Sequence, residues 1–228
     1  MTENGLKSGG KLESILAAGK FAVTAELGPP KSADTSVIAS KAEILADCTD
    51  AVNITDNQTA VVRVSSLVAS HLTHEAGCEP VMQLTCRDRN RLAMQADILG
   101  MNALGIHNLL CLTGDHQSFG NHPQAKGVYD MDAVSLIRMV KDMRDEKKFQ
   151  CGDEMPVAPA VYIGCAENPF GDPFEFRSLR LRKKIVAGAD FVQTQCIFNI
   201  PKFKKWMEMV RAEGLHQEIK IMAGITPI

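Results

Sequence analysis

The feature that most restricts the fold is a repeated one. Short apolar runs, each ended by a turn residue and a polar or charged side chain, recur along the whole chain. The clearest is NLLCLTGDH, in which Leu109, Leu110, Cys111 and Leu112 run through Thr113 into Gly114 and Asp115. An unbroken apolar run of this length reads as a strand buried on both faces, as in a parallel sheet covered by helices. Similar runs are Phe21 to Leu27 (stopped by GPP), Ala51 to Thr55, Pro80 to Cys86, Pro159 to Ala166, Asp190 to Cys196 and Glu218 to Ile225. Helical patterns separate them at Thr35 to Ala46 (Asp34 as N-cap), Val61 to Ala76, Arg91 to Leu104, Asp132 to Lys147, Glu175 to Ala187 and Pro201 to Glu213. A shorter helix, Lys11 to Ala18, follows a loose segment, Met1 to Gly10.

Seven strands alternating with helices at a spacing of about 30 residues indicate a parallel sheet built from βα units. The count favours an α/β fold of the (β/α)8 TIM-barrel type over an open sheet, and no GxGxxG follows the first strand. Such barrels run to about 250 residues. This chain has 228 and stops directly after the seventh strand, so the expectation is a single catalytic barrel domain over 1–228 whose last βα unit is missing from the chain as given.

A net charge of −2 gives no basis for nucleic acid or an anionic membrane as partner. With no apolar run long enough to span a bilayer and a polar, Gly-rich N-terminus, the expected location is the cytoplasm. The seven cysteines are odd in number and contain no CxxC pair. Cys86, Cys111, Cys165 and Cys196 fall in or at the ends of strand runs, so they read as small buried hydrophobes in a reducing compartment.

In a barrel, the residues at the C-terminal strand ends surround one cavity. Here they are Glu26, Thr55 with Asp56, Thr85 with Arg87, Thr113 with Asp115, Glu167 with Asn168, and Gln193 with Gln195. Asp115 could equally cap the following helix. Gln193 and Gln195 share a face if the strand is regular, and buried amides there need a ligand or each other. No Ser-His or Cys-His nucleophile arrangement is present, and no metal site is expected: His71 and His74 form a lone i, i+3 pair on a helix. Lys31 and Lys126 are loop residues, which disfavours Schiff-base chemistry. Acids and amides without a strong nucleophile suit proton transfer beside a cofactor that performs the difficult step.

Five stretches together carry a resemblance: AELGPPK (Ala25 to Lys31), NITDNQTA (Asn53 to Ala60), QLTCRDRNR (Gln83 to Arg91), LTGDH (Leu112 to His116) and GADFVQTQCIFN (Gly188 to Asn199). In order and spacing the chain resembles the methylenetetrahydrofolate reductase family, most of all its acetogen-type bacterial members. The resemblance implies a flavin-containing barrel that reduces 5,10-methylenetetrahydrofolate to 5-methyltetrahydrofolate by hydride transfer from reduced flavin N5. Glu26 would be the general acid that assists opening of the imidazolidine ring, its carboxyl kept protonated by burial. Asp115 would stabilise the resulting cation and tune the flavin, and Gln195 would orient the pterin.

The same match assigns flavin contacts to Thr55, Gln83, Gly114, Asp115, Tyr129 and Lys184, with Ala166 and Asn168 as further ones. For the arginines around Lys184 the plain reading is a solvated helix face. Thr113 stands where the commoner family form has Arg and Gln83 where it has His, so the cofactor is FAD with FMN as the alternative. The aromatic that stacks on the pterin in relatives lies beyond Ile228. Partners implied are methylenetetrahydrofolate, NADH or NADPH or else an iron-sulfur subunit, and further subunits in a homo- or hetero-oligomer. Two other readings stay open: a flavin-holding electron-transfer subunit that needs a partner to complete the folate site, and a flavin-free pterin-binding barrel.

Overall fold

The computed structural model describes residues 5–226. The first four residues of the expected loose segment and the last two residues of the chain lie outside the described residues. In order, the elements are α1 (Lys11–Ala17), β1 (Thr24–Leu27), α2 (Ser36–Ala46), β2 (Ala51–Ile54), α3 (Ser66–Glu75), β3 (Pro80–Thr85), α4 (Arg91–Ala103) and β4 (Asn108–Leu112). They continue with α5 (Ala133–Asp145), β5 (Tyr162–Glu167), α6 (Arg177–Ala187), β6 (Phe191–Cys196), α7 (Ile200–Ala212), α8 (Leu215–Glu218) and β7 (Lys220–Gly224).

Among the described residues the seven strands form one parallel sheet in the order β1 to β7. Residues paired in register on parallel strands point to the same face, and the pairing separates two faces cleanly. Glu26 lies beside Asn53, Asn53 beside Val81, Gln83 beside Leu110, Leu110 beside Gly164, and Ala166 beside Gln193. That face is concave: Gln193 Nε2 on β6 donates to Asn53 Oδ1 on β2 at 2.5 Å, which only a strongly curled sheet permits. The result is an α/β half-barrel of TIM-barrel type with β1 and β7 at its edges.

Below the Asn53–Gln193 bridge the concave face is apolar. Ala51, Val81, Leu110, Tyr162 and Phe191 pack there with Leu12 and Leu16 of α1, which closes the N-terminal end. Gly164 is required at this level, since a Cβ on it would come within 2.3 Å of the Phe191 ring. The convex face carries Met82, Leu84, Leu109, Cys111, Ile163, Cys165 and Val192 against the helices. Cys196, expected among the buried cysteines, is instead half-exposed, because it ends β6 at the rim.

Side-chain capping fixes the helix starts: Ser65, Asn90, Asp132 and Asn199 each accept a backbone N–H from the first turn. At α2 the N-cap is Thr35, not Asp34 as expected, although Asp34 Oδ1 still accepts from Ser36 N at 3.0 Å. The helix expected from Val61 begins only at Ser66, because residues 57–60 form a tight turn with left-handed backbone. Residues 5–10 are also tied down more firmly than a loose segment: Glu13 accepts from the N–H groups of Lys7, Ser8 and Gly9. Lys7 and Arg144 both pair with the buried Asp190. None of the described helices is long and apolar enough to cross a membrane.

Candidate active site

Above the Asn53–Gln193 bridge the concave face turns polar, and the strand ends contribute side chains from several elements. Glu26, at the end of β1, is exposed, and its Oε1 accepts from Gln58 Nε2 at 3.2 Å. The burial expected to keep this carboxyl protonated is therefore absent. The apolar residues that precede Glu26 do not cover it, since Phe21 is 90% exposed and β1 starts only at Thr24. One strand along, Thr55 is buried, and its Oγ1 has no hydrogen-bond partner among the described residues. Gln83 on β3 is half-buried, and its amide also has no partner among the described residues.

The end of β4 is set by Gly114, whose φ of +90° is a conformation that favours glycine. A Cβ there would meet the Cβ atoms of Arg87 and Thr85 at 3.1 Å, so the turn lies flat on the end of β3. Asp115 follows with an exposed side chain, while its carbonyl oxygen accepts from Arg87 Nη1 at 3.2 Å and from the Tyr129 hydroxyl at 3.3 Å. The Tyr129 phenol is pushed above its ordinary value, first by burial and then by Asp88 and Asp115 against the opposing Arg87, so it stays a neutral donor. Asp115 is not the cap of the next helix, which Asp132 provides.

The buried Arg87 joins three strand-end loops, those after β2, β3 and β4. Besides Asp115 it donates to Asn57 O at 3.2 Å and to Asp88 through Nε and Nη2 at 2.8 and 2.7 Å. Its own carbonyl accepts from Val128 N at 2.8 Å. Burial pushes the Asp88 carboxyl up, but hydrogen bonds from Arg87 and Asn57 and the charges of Arg87 and Arg89 outweigh it and hold the group below its ordinary value. Beside this cluster, Asp56 takes Thr85 and Arg89, the latter at 2.7 and 3.2 Å.

On the other side of the mouth, Lys184 is buried, and Nζ donates to Ala166 O at 2.5 Å and to the buried Glu167 at 2.7 Å. Lys184 and Ala166, both expected at a flavin, are thus brought together, but the ammonium is already paired inside the protein. Asn168 Oδ1 accepts from Phe170 N at 2.9 Å and shapes the loop after β5. On β6 a bulge interrupts the register between Gln193 and Cys196. Gln193 turns onto the bridge to Asn53, and Gln195, two residues further on, is exposed at the rim.

Glu26 and Asp115 are linked through Gln58, the adjacent Asn57 and Arg87; Glu26 lies beside Asn53 at one end of the Asn53–Gln193 bridge, and Gln195 is two residues beyond Gln193 at the other. Gln58 was not singled out from the sequence, where a polar residue in a loop carries no such signal. A separate groove of about 640 Å³ between α5 and α6 holds Met139, Phe149 and Val186 and none of these strand-end groups.

The model of the family described as methylenetetrahydrofolate reductase matches residues 11–228. The chain belongs to this family. Relatives include a probable methylenetetrahydrofolate reductase (NADPH) of Caenorhabditis elegans, 28% identical over 171 residues, covering 73% of this chain and 23% of that protein. The 5,10-methylenetetrahydrofolate reductase of Pectobacterium carotovorum subsp. carotovorum is 25% identical over 166 residues, covering 73% of this chain and 49% of the relative. The chain thus matches 23% of the length of the first of these two methylenetetrahydrofolate reductases and about half of the second. Among solved structures, a Clostridium thermocellum protein that binds two copies of 5-methyl-5,6,7,8-tetrahydrofolic acid matches with a TM-score of 0.58 at 12% identity, over 92% of this chain and 67% of that one. A 2,3-dimethylmalate lyase matches with a TM-score of 0.59 at 12% identity, over 93% and 76% of the two chains. At such identities the structural likeness speaks for the fold alone.

Proposed function

We propose that the chain is the catalytic domain of a flavin-dependent methylenetetrahydrofolate reductase of the acetogen type, which reduces 5,10-methylenetetrahydrofolate to 5-methyltetrahydrofolate in the cytoplasm. What supports this reading is membership of this family, together with the positions of Glu26 on β1, Asp115 after β4 and Gln195 on β6, each near the C-terminal end of a strand of one curled parallel sheet. In this reading an eighth strand closes the barrel between β7 and β1.

The residues present fit a flavin. Thr55 Oγ1 is a buried hydroxyl that lacks a partner, and Gln83 offers a free, half-buried amide beside it on the next strand. These are the neutral donors and acceptors that a flat heteroaromatic ring with imide edges requires. Thr55, Gln83, the Gly114–Asp115 turn and Tyr129 would hold the ring, with Ala166, Asn168 and Lys184 towards the ribityl side of FAD or FMN. When bound, the flavin supplies a hydride to the one-carbon unit.

Glu26 would deliver the proton that lets the imidazolidine ring of the substrate open. Its exposed carboxyl needs the arriving pterin to exclude water before it works as an acid. The Asp115 carboxylate, free of internal partners, would stabilise the cation that ring opening leaves. Gln195, free at the rim, would hydrogen-bond the pterin and fix its orientation. Electrons would arrive from NADH or NADPH, or through an iron-sulfur subunit in a hetero-oligomer. No group of three or more His, Cys, Asp or Glu that could hold a metal occurs among the described residues, so such a cluster would lie on the partner.

The test is to denature the purified protein, identify the released cofactor by absorbance and mass, and follow two half-reactions in Glu26→Gln. Folate turnover should fall about 100-fold or more, while reduction of the flavin stays intact. Equal loss of both half-reactions, or a colourless protein, would overturn the reading.

A further inference from the structure

The turn after β2 has a backbone that its sequence does not favour. Asn57, Thr59 and Ala60 all have positive φ, at 44°, 54° and 57°, and none is glycine. Strain of this kind persists only where the surroundings over-determine it. Here Asn57 O is held by Arg87, Asn57 Nδ2 by Asp88, and Asn57 Oδ1 accepts from Arg63 N at 3.0 Å. Ala60 O lies where a Cβ on Gly120 would come within 1.7 Å, so the loop after β4 closes over it. The loops after β3 and β4 therefore hold the turn in place, together with Arg63 further along its own loop. From this turn the Gln58 side chain reaches Glu26, to which it donates at 3.2 Å.

We infer that Gln58 is a positioning residue for Glu26, and that the clamped turn exists to hold its amide there; this inference rests on the function proposed above. A primary amide suits the task because it serves both states of the acid. The NH2 donates to the carboxylate, and after a half-turn about the last torsion the C=O accepts from the protonated carboxyl. An alkyl side chain at this position does neither. Other charged groups on the segments around Glu26 are committed or turned to solvent. Asp56 pairs with Arg89, Arg63 donates to Pro29 O at 2.9 Å, Asp88 pairs with Arg87, and Lys31 is exposed. Asp115 is the remaining carboxylate at the mouth, and Arg87 lies between it and this turn.

Gln58 is exposed, so Gln58→Leu is compatible with folding. Two measurements decide. In the cofactor-loaded protein, kcat of the folate half-reaction should fall by about tenfold or more, with KM little changed and flavin reduction unaffected. In the full chain without substrate, the carbon-13 resonance of the Glu26 carboxyl at neutral pH should shift on loss of the amide donor. An unchanged Glu26 resonance, or loss of flavin reduction in parallel with kcat, would overturn the inference. A wild-type protein without folate turnover would instead sink the proposed function, and the carbon-13 spectrum, which needs no substrate, would still decide on the Gln58–Glu26 pair.

Discussion

Thr55 holds a buried hydroxyl with no partner among the described residues, and a hydroxyl left in that state costs roughly 1–3 kcal/mol. If a cofactor satisfies it, Thr55→Val should separate two quantities that usually move together. Thermal unfolding of the free chain should stay the same or rise, because an unpaired polar group disappears. Flavin affinity, read by fluorescence titration, should weaken by roughly 3–10-fold, the size of one lost hydrogen bond of about 0.5–1.5 kcal/mol. Unchanged affinity would remove Thr55 from the flavin site. Gly114 gives the opposite case. At φ +90° and with Arg87 and Thr85 3.1 Å from the place a Cβ would take, Gly114→Ala should destabilise by about 1–3 kcal/mol in denaturant unfolding. Gly114 and Asp115 were legible because a glycine and an acid directly follow an apolar run. Gln58 was not: an Asn at position 57 allows a left-handed backbone, but nothing in the letters Thr59 and Ala60 announces that the next residues do the same.

Helix α6 shows how far a pattern reads and where it stops. Ser178, Leu181, Lys184 and Ala187 are its buried stripe at helical spacing, so Lys184 could be told apart from Arg180, Arg182 and Lys183, which stay exposed. That Glu167 would be waiting at the end of β5 needed the packing of two elements, which no local pattern encodes. Because Glu167 is buried, Lys184→Met should destabilise by about 3–5 kcal/mol by leaving a carboxylate without its cation. The double variant with Glu167→Gln should recover most of that loss in denaturant unfolding. A single variant as stable as the wild type would mean the pair is not formed. At the start of α4, Arg91 binds Asp130 from the long loop at 2.8 and 2.9 Å. This contact holds the Asp130 carboxyl down to about 2, against an ordinary 3.8. A carboxylate lowered on folding stabilises above its unfolded value and ceases to as pH falls through the folded one. The docking of this loop should therefore be intact above pH 3.8 and be lost towards pH 2. Proton exchange of the Arg91 amide would report it, and Arg91→Ala should return Asp130 part of the way to the ordinary range, since the backbone N–H of residue 91 still donates to it.

At the scale of the molecule, the sheet was readable because the inner strands β2 to β6 bury apolar residues on their convex face, in runs distinct from the helices. The curl was expected from the strand count, but the Asn53–Gln193 bridge joins residues 140 apart along the chain, and the bulge beside Gln195 arises in the pairing of β6 with β7. The bridge also divides the concave face into two ends with different tasks. Below it, α1 fills the space between strands with Leu12, fully buried, and Leu16. Above it lie the polar strand ends. A residue of the lower end should therefore act on stability, and one of the upper end on chemistry. Leu12→Ala removes a fully buried side chain from a helix whose backbone N–H at residue 12 donates to Glu79, so the helix can stay in place over a cavity. The expected loss is about 2–5 kcal/mol in denaturant unfolding, while flavin affinity and folate kinetics, measured where the variant is fully folded, keep their wild-type values. A change in KM or flavin affinity as large as that seen for Thr55→Val would show that the two ends are coupled through the bridge. Asn53→Leu, which breaks the bridge and leaves Gln193 without its acceptor, would then be the variant that reproduces both effects at once.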